Sequence, residues 1–177
     1  KEIIDVAYPG DIVGLHDTGN FKIGDSLTTG EILHFKGIPS FSPELFRYIE
    51  NADPLKFKQL AKGIEQLMDE GVAQLFTSTF NNRKIIGTVG ALQFDVIQYR
   101  LEHEYGAKCR YEPIHLHKAC WLETSNEEIL KTFIKRKAKY MALDKENRNV
   151  YLSDSSYGLN MDIQEYPEIS FHFKSEF

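Results

Sequence analysis

From residue 44 onward the chain switches between two apolar rhythms. Short runs of strand-forming residues occupy 44–49, 72–76, 84–89 and 108–114. Between them, Phe57, Leu60, Ile64 and Leu67, and then Phe94, Ile97, Leu101 and Tyr105, recur at steps of three and four. Such steps place apolar side chains along one face of a helix. Asp53-Pro54 marks the first helix start, Asp as N-cap and Pro where a missing N–H costs nothing. Gly71 and Gly106 mark helix ends, since glycine adopts the left-handed cap at little cost. Asn81-Asn82 predicts a hairpin turn between the middle strands, because Asn tolerates positive φ. The predicted order is strand, helix, strand, strand, helix, strand. With two helices on one face of an antiparallel sheet, this is a ferredoxin-like split βαβ arrangement.

The flanks read differently. Residues 1–36 carry turn signals at Pro9-Gly10-Asp11, Gly19-Asn20, Gly24-Asp25 and Gly30, with short apolar runs at 12–15 and 21–23. This punctuation predicts a meander of short strands, too few to close a barrel, and so the remnant of a β-barrel domain. Exposed strand edges pair readily with a second chain, so residues 1–36 are expected either to pack on the following domain or to self-associate. On the other side, residues 115–177 form a C-terminal α/β extension. Within it, 119–123 predicts a strand. Ser125 with Glu128 reads as a capping box opening a helix to about residue 143, which buries Leu130, Phe133, Ile134 and Met141. Late strands are expected at 150–152 and 169–173, and Ser153, Asp154, Ser155 and Ser156 read as an exposed loop. No internal repeat is visible. The fold class is therefore α+β, with domains at 1–36 and 37–177.

Composition narrows the function classes. The chain has 177 residues, a formal charge of −5 and a pI near 5.7, which disfavours a globally basic nucleic-acid binder but leaves room for a local basic face. Its two cysteines, Cys109 and Cys120, form no C-x-x-C pair and no secreted disulfide framework. No apolar run reaches the length of a spanning helix, so no membrane role is expected. Lys1 stands where an initiator Met would, which suggests a start inside a longer protein.

Catalytic chemistry is not legible. No G-x-x-x-x-G-K-[ST] phosphate loop occurs, and Gly87-Thr88-Val89-Gly90 lacks the lysine. Asp11-Ile12-Val13-Gly14 matches a two-position D-x-x-G pattern that chance supplies. His115 and His117, alternating on a strand, with Cys120 following and His103 or Cys109 as further donors, raise a zinc site as an enzyme reading; two solvent-facing histidines explain the spacing equally well. The remaining candidates are cationic. Lys131, Lys135 and Lys139 recur every four residues with Arg136 beside them, and Arg83 and Lys84 lie near the hairpin tip. Such stripes attract phosphate backbones without reading sequence, although the acidic start and basic end of that helix also suit its dipole.

Longer motifs carry a family resemblance. Gly10-Asp11-Ile12-Val13-Gly14-Leu15 and Ile23-Gly24-Asp25-Ser26-Leu27 resemble the closing strands of the second domain of translational GTPases. Ile38-Pro39, Phe41, Pro43-Glu44-Leu45-Phe46-Arg47, Asp53-Pro54-Leu55-Lys56, and above all Ile86-Gly87, Val89-Gly90 and Leu92-Gln93-Phe94-Asp95-Val96 resemble the third domain of the release factor 3 family. The third domain of elongation factor G is similar but differs at the helix entry. The resemblance implies a cytoplasmic, ribosome-bound translation-termination factor that uses GTP and magnesium in an absent first domain to promote departure of class I release factors. It implies no cofactor, nucleotide-binding or catalytic residue within this chain. A ferredoxin-like ligand-sensing module is the rival binding reading; it leaves residues 1–36 unexplained.

Overall fold

The computed structural model describes residues 3–16, 25–32 and 42–175, and each rhythm read from residues 44–114 becomes one element there. They are β1 (Leu45–Asn51), α1 (Phe57–Asp69), β2 (Gln74–Ser78), β3 (Lys84–Thr88), α2 (Ala91–Tyr105) and β4 (Cys109–Pro113). The Asp53 carboxylate accepts the Leu55 N–H at 3.0 Å and caps a 3-10 turn, Pro54–Lys56, that runs on into α1. Asn82 turns the β2–β3 hairpin at φ 57°, and Gly106 ends α2 at φ 63°. Both are left-handed conformations, which Asn and Gly adopt with little strain.

The second half follows as β5 (Lys118–Glu123), α3 (Glu127–Arg136), β6 (Met141–Leu143), β7 (Asn149–Ser153), α4 (Ser156–Glu165) and β8 (Ser170–His172). Several expectations change here. The cap of α3 is Asn126, whose side chain accepts the Ile129 N–H at 3.2 Å; it is not Ser125. The helix stops at Arg136 rather than near 143, and a 3-10 turn, Ala138–Tyr140, leads into β6. Met141 and Ala142 are wholly buried in that strand, on opposite faces. A helix continuing through them could present only one side to the core. α4 was not foreseen. Ser155 caps it by accepting the Gly158 N–H at 3.1 Å, and Ser153, read as loop, ends β7 fully buried.

All strands pair antiparallel in one sheet of order β4-β1-β3-β2-β6-β7-β5-β8. Read outward from its centre, the second half repeats the first: β2-β3-β1-β4 is matched by β6-β7-β5-β8, each from a strand-helix-strand-strand-helix-strand run. The extension is thus a second copy of the same topology, although no sequence repeat announces it. The halves meet where Thr77 faces Leu143 and Ser78 faces Ala142.

That register also fixes the layering. Residues paired across a ladder share a face, so all four helices cover one side of the sheet. One helix-side core gathers Leu60, Ile64, Phe94, Ile97 and Leu101 beneath α1 and α2; another gathers Cys120, Phe133, Met141 and Tyr151 beneath α3 and α4. The other side of the sheet carries Phe46, Phe76 and Ile85 from the first half, and Trp121, Ala142 and Val150 from the second, all at most 5% exposed in one cluster. Among the described residues no helix covers them. The sheet must therefore curl until its halves cover each other, with the Phe76 and Trp121 rings 5.9 Å apart.

Residues 3–16 and 25–32 form no strand and expose their side chains, Ile12 completely. The strand expected at 12–15 is not formed: a strand exists only as part of a ladder, and among the described residues none pairs with this segment. The run expected at 21–23 lies outside the described residues.

Candidate functional site

The cationic residues divide between two places, α3 with the turn that follows it and the β2–β3 hairpin. α3 begins with Glu127 and Glu128 and ends with Lys135 and Arg136, the arrangement its dipole favours. Lys131 pairs with Glu128 at 3.0 Å on the exposed surface. Arg136 is bound to the Glu165 carboxylate and donates to the Tyr166 hydroxyl at 3.1 Å, contacts that hold its pKa above the ordinary value. Lys139 lies past the helix end, in the 3-10 turn. Among the described residues, Lys135 and Lys139 make no ion pair; they are the two of the four whose charge is unmatched by a neighbouring carboxylate.

Arg83 is engaged still more completely. It bonds Glu50 at 2.6 Å and Glu112, and its guanidinium lies 3.7 Å over the Tyr48 ring. Lys84 projects to the opposite side of the sheet and donates to Thr77 Oγ1 at 2.8 Å. Adjacent residues on a strand point apart, so these two form no joint patch, and neither shares an element with the lysines of α3.

The histidine reading finds no geometry. His115 and His117 are exposed in the β4–β5 connection, whereas Cys120 is wholly buried on β5, where burial pushes its thiol up to about 12. Among the described residues no three His, Cys, Asp or Glu side chains converge on a common point.

Sequence reasoning missed a groove of about 380 Å³ between α1 and the sheet. Leu60, Ile64, Met68 and Leu75 line it apolarly, Thr77 and Lys84 bound one end, and the turn at 144–147 from the second half closes a side. That turn is held by Asp144, which accepts from Trp121 Nε1 at 2.9 Å, Arg148 Nε at 2.8 Å and two backbone N–H groups. Lys145 bridges from it to Asp69 on α1. Because the lining comes from both halves, no local pattern could reveal it. Chemically it suits an apolar side chain more than a reacting group.

No described helix is long and apolar enough to cross a membrane. The family described as class II release factor RF3, C-terminal domain, matches residues 35–162, which span β1 through β7 and most of α4. A crystal structure of a Thermus thermophilus protein aligns at 14% identity and a TM-score of 0.43, over 72% of this chain and 28% of that chain. The chain thus spans little more than a quarter of that protein's length.

Proposed function

Because the chain belongs to the family of class II release factor RF3 C-terminal domains, we propose that it is the ribosome-facing part of a peptide chain release factor 3. Membership makes it a translation-termination domain, and such a domain is not itself a GTPase domain. In the proposed whole protein, GTP and magnesium bind elsewhere, and the cycle promotes departure of class I release factors from cytoplasmic ribosomes. The strand order β4-β1-β3-β2, with α1 and α2 on one side, supports reading the first half as a ferredoxin-like unit. The observation that carries the proposal is the extent of the family match, which runs through both halves of the sheet rather than one motif.

Ribosome co-sedimentation across a salt series tests it. If Lys135 and Lys139 meet rRNA phosphates, reversing both charges weakens binding and flattens the salt dependence of log affinity by roughly 1.4–1.8 in slope. Unchanged sedimentation of the double variant would make the two lysines a solvated surface. No sedimentation of the wild-type chain at any salt would remove the ribosome-facing reading. Titration calorimetry with GTP should show no micromolar binding by this chain; heat at that affinity would contradict its assignment as a non-nucleotide part.

A further inference from the structure

α2 has two apolar faces, and among the described residues only one of them is covered. Phe94, Ile97 and Leu101 are fully buried against the sheet and α1. On the opposite side Leu92 is 72% exposed, Val96 41% and Tyr99 62%. A surface helix of a globular protein normally carries one apolar stripe, facing the core, so a second stripe on the opposite side stands out. The exposed residues follow a 4-3-4 spacing, Leu92, Val96, Tyr99 and His103, which is the a/d seam of a coiled coil running about 16 Å along the helix. Tyr99 is pre-set for contact: the His103 ring stacks on it at 4.0 Å, and His103 Nδ1 donates to the Tyr99 carbonyl oxygen at 2.8 Å. An aromatic held in one rotamer loses little entropy on binding, which is what an interface anchor requires.

The flank of the seam says what would cover it. Asp95 and Glu102 stand seven residues apart beside the seam, where the g positions of a coiled coil place charge opposite the partner. Glu102 meets Lys108 at 3.0 Å, whereas Asp95 makes no ion pair among the described residues. On the opposite flank of the seam Glu70 and Glu104 share Arg100. Each flank therefore carries one carboxylate more than it has cations, Asp95 and Glu102 against Lys108 on one side and Glu70 and Glu104 against Arg100 on the other. We propose that the exposed face of α2 is a docking seam for an amphipathic helix of another protein, with apolar residues at 4-3 spacing flanked by lysine or arginine.

The test uses the whole 177-residue chain and a fluorescent designed helix with a leucine seam and lysine flanks. Controls are a scrambled peptide of equal composition and a version with glutamate flanks. Binding by fluorescence anisotropy should favour the lysine-flanked helix over both. Tyr99→Ala and Val96→Glu should each weaken it at least about tenfold, as loss of a central anchor does, with unchanged thermal unfolding showing that the fold is intact. Asp95→Lys with Glu102→Lys should turn the preference toward the glutamate-flanked peptide. Equal binding of the scrambled peptide, or full binding by Val96→Glu, overturns the proposal. It is also overturned if the wild type dimerises through this face, seen as a sedimentation dimer that Val96→Glu abolishes while the peptide fails to compete.

Discussion

Replacing Gly63 with alanine adds one methyl group where α1 crosses α2, and two effects of known size then oppose each other. Alanine in a helix interior is favoured over glycine by about 1 kcal/mol. The added Cβ, however, would lie 2.7 Å from Leu101 Cδ2 and 2.8 and 2.9 Å from Tyr105 Cγ and Cδ2. Leu101 is fully buried and has nowhere to turn, and Tyr105 Cγ can move aside only if its χ1 leaves its staggered well or the helix shifts. Relief therefore requires α1 and α2 to separate, and overpacking of this kind costs about 1–3 kcal/mol. The clash should win by about 1 kcal/mol, lowering the melting temperature by roughly 2–4 °C in a chain of this size. Urea denaturation followed by the fluorescence of Trp121, the single tryptophan and 1% exposed, measures it directly. The cycle with Tyr105→Ala separates the causes. With two of the three contacts gone, Gly63→Ala should be less harmful, or even stabilising, giving a coupling of at least about 0.5 kcal/mol. A Gly63→Ala protein about 1 kcal/mol more stable than wild type would show that the helices part freely, and the close-approach argument would fall.

Three further outcomes follow from other parts of the molecule. Asp144→Ala leaves the buried Trp121 N–H without its acceptor and takes from Arg148 one of its carboxylate partners; it should cost about 2–4 kcal/mol in the same urea assay, and a loss under about 1 kcal/mol would show the turn to be dispensable. Glu104 and Glu112 are held below the ordinary carboxylate range by hydrogen bonds from Arg100 and Arg83. Their contribution is complete above about pH 4.5, the ordinary glutamate value, and disappears as pH falls through the depressed folded values. Arg100→Gln should thus shallow the acid limb of a stability–pH curve, and an unchanged limb would remove Glu104 from that account. The exposed apolar residues 3–16 should make light scattering rise with concentration, and deletion of residues 1–36 should abolish that rise while leaving cooperative unfolding intact; loss of cooperativity would place the segment in the common core.

The first half of the fold was legible because its signals are local. Phe94, Ile97 and Leu101 keep helical spacing, Asp53-Pro54 and Gly106 bound the helices, and Asn82 supplies the turn. Phe57 belongs to the same apolar pattern yet stays 67% exposed at the first position of α1, where it lines the groove. The second half hides its signals. α4 buries only Leu159 and Asp162, and a buried aspartate looks polar until its partners are seen: the Tyr151 hydroxyl at 2.7 Å and Lys137 at 2.8 Å. α3 ends at Arg136 without glycine or proline, so nothing in the sequence stops it. The duplication is invisible because the two cores are filled differently, mainly by aliphatic side chains around Phe94 under α1 and α2 and largely by Phe133, Tyr151, Tyr166 and Phe171 under α3 and α4. The cationic residues could be read off, but the carboxylates that occupy Arg136 and Arg83 lie 29 or more positions away in the chain.

The crease of the curled sheet sets how force crosses the domain. Only two register pairs join β2 to β6, against three to five in every other ladder of the sheet. A pull on one half therefore reaches the other chiefly through interlocked rings and branched side chains, Phe76 on Trp121 among them, rather than through a long run of backbone hydrogen bonds. Packed interiors are stiff and resist small displacements, so the two halves should turn together as one lever under modest load. Past that limit the crease, not either half, is where the lever opens, exposing the tryptophan to water as it does.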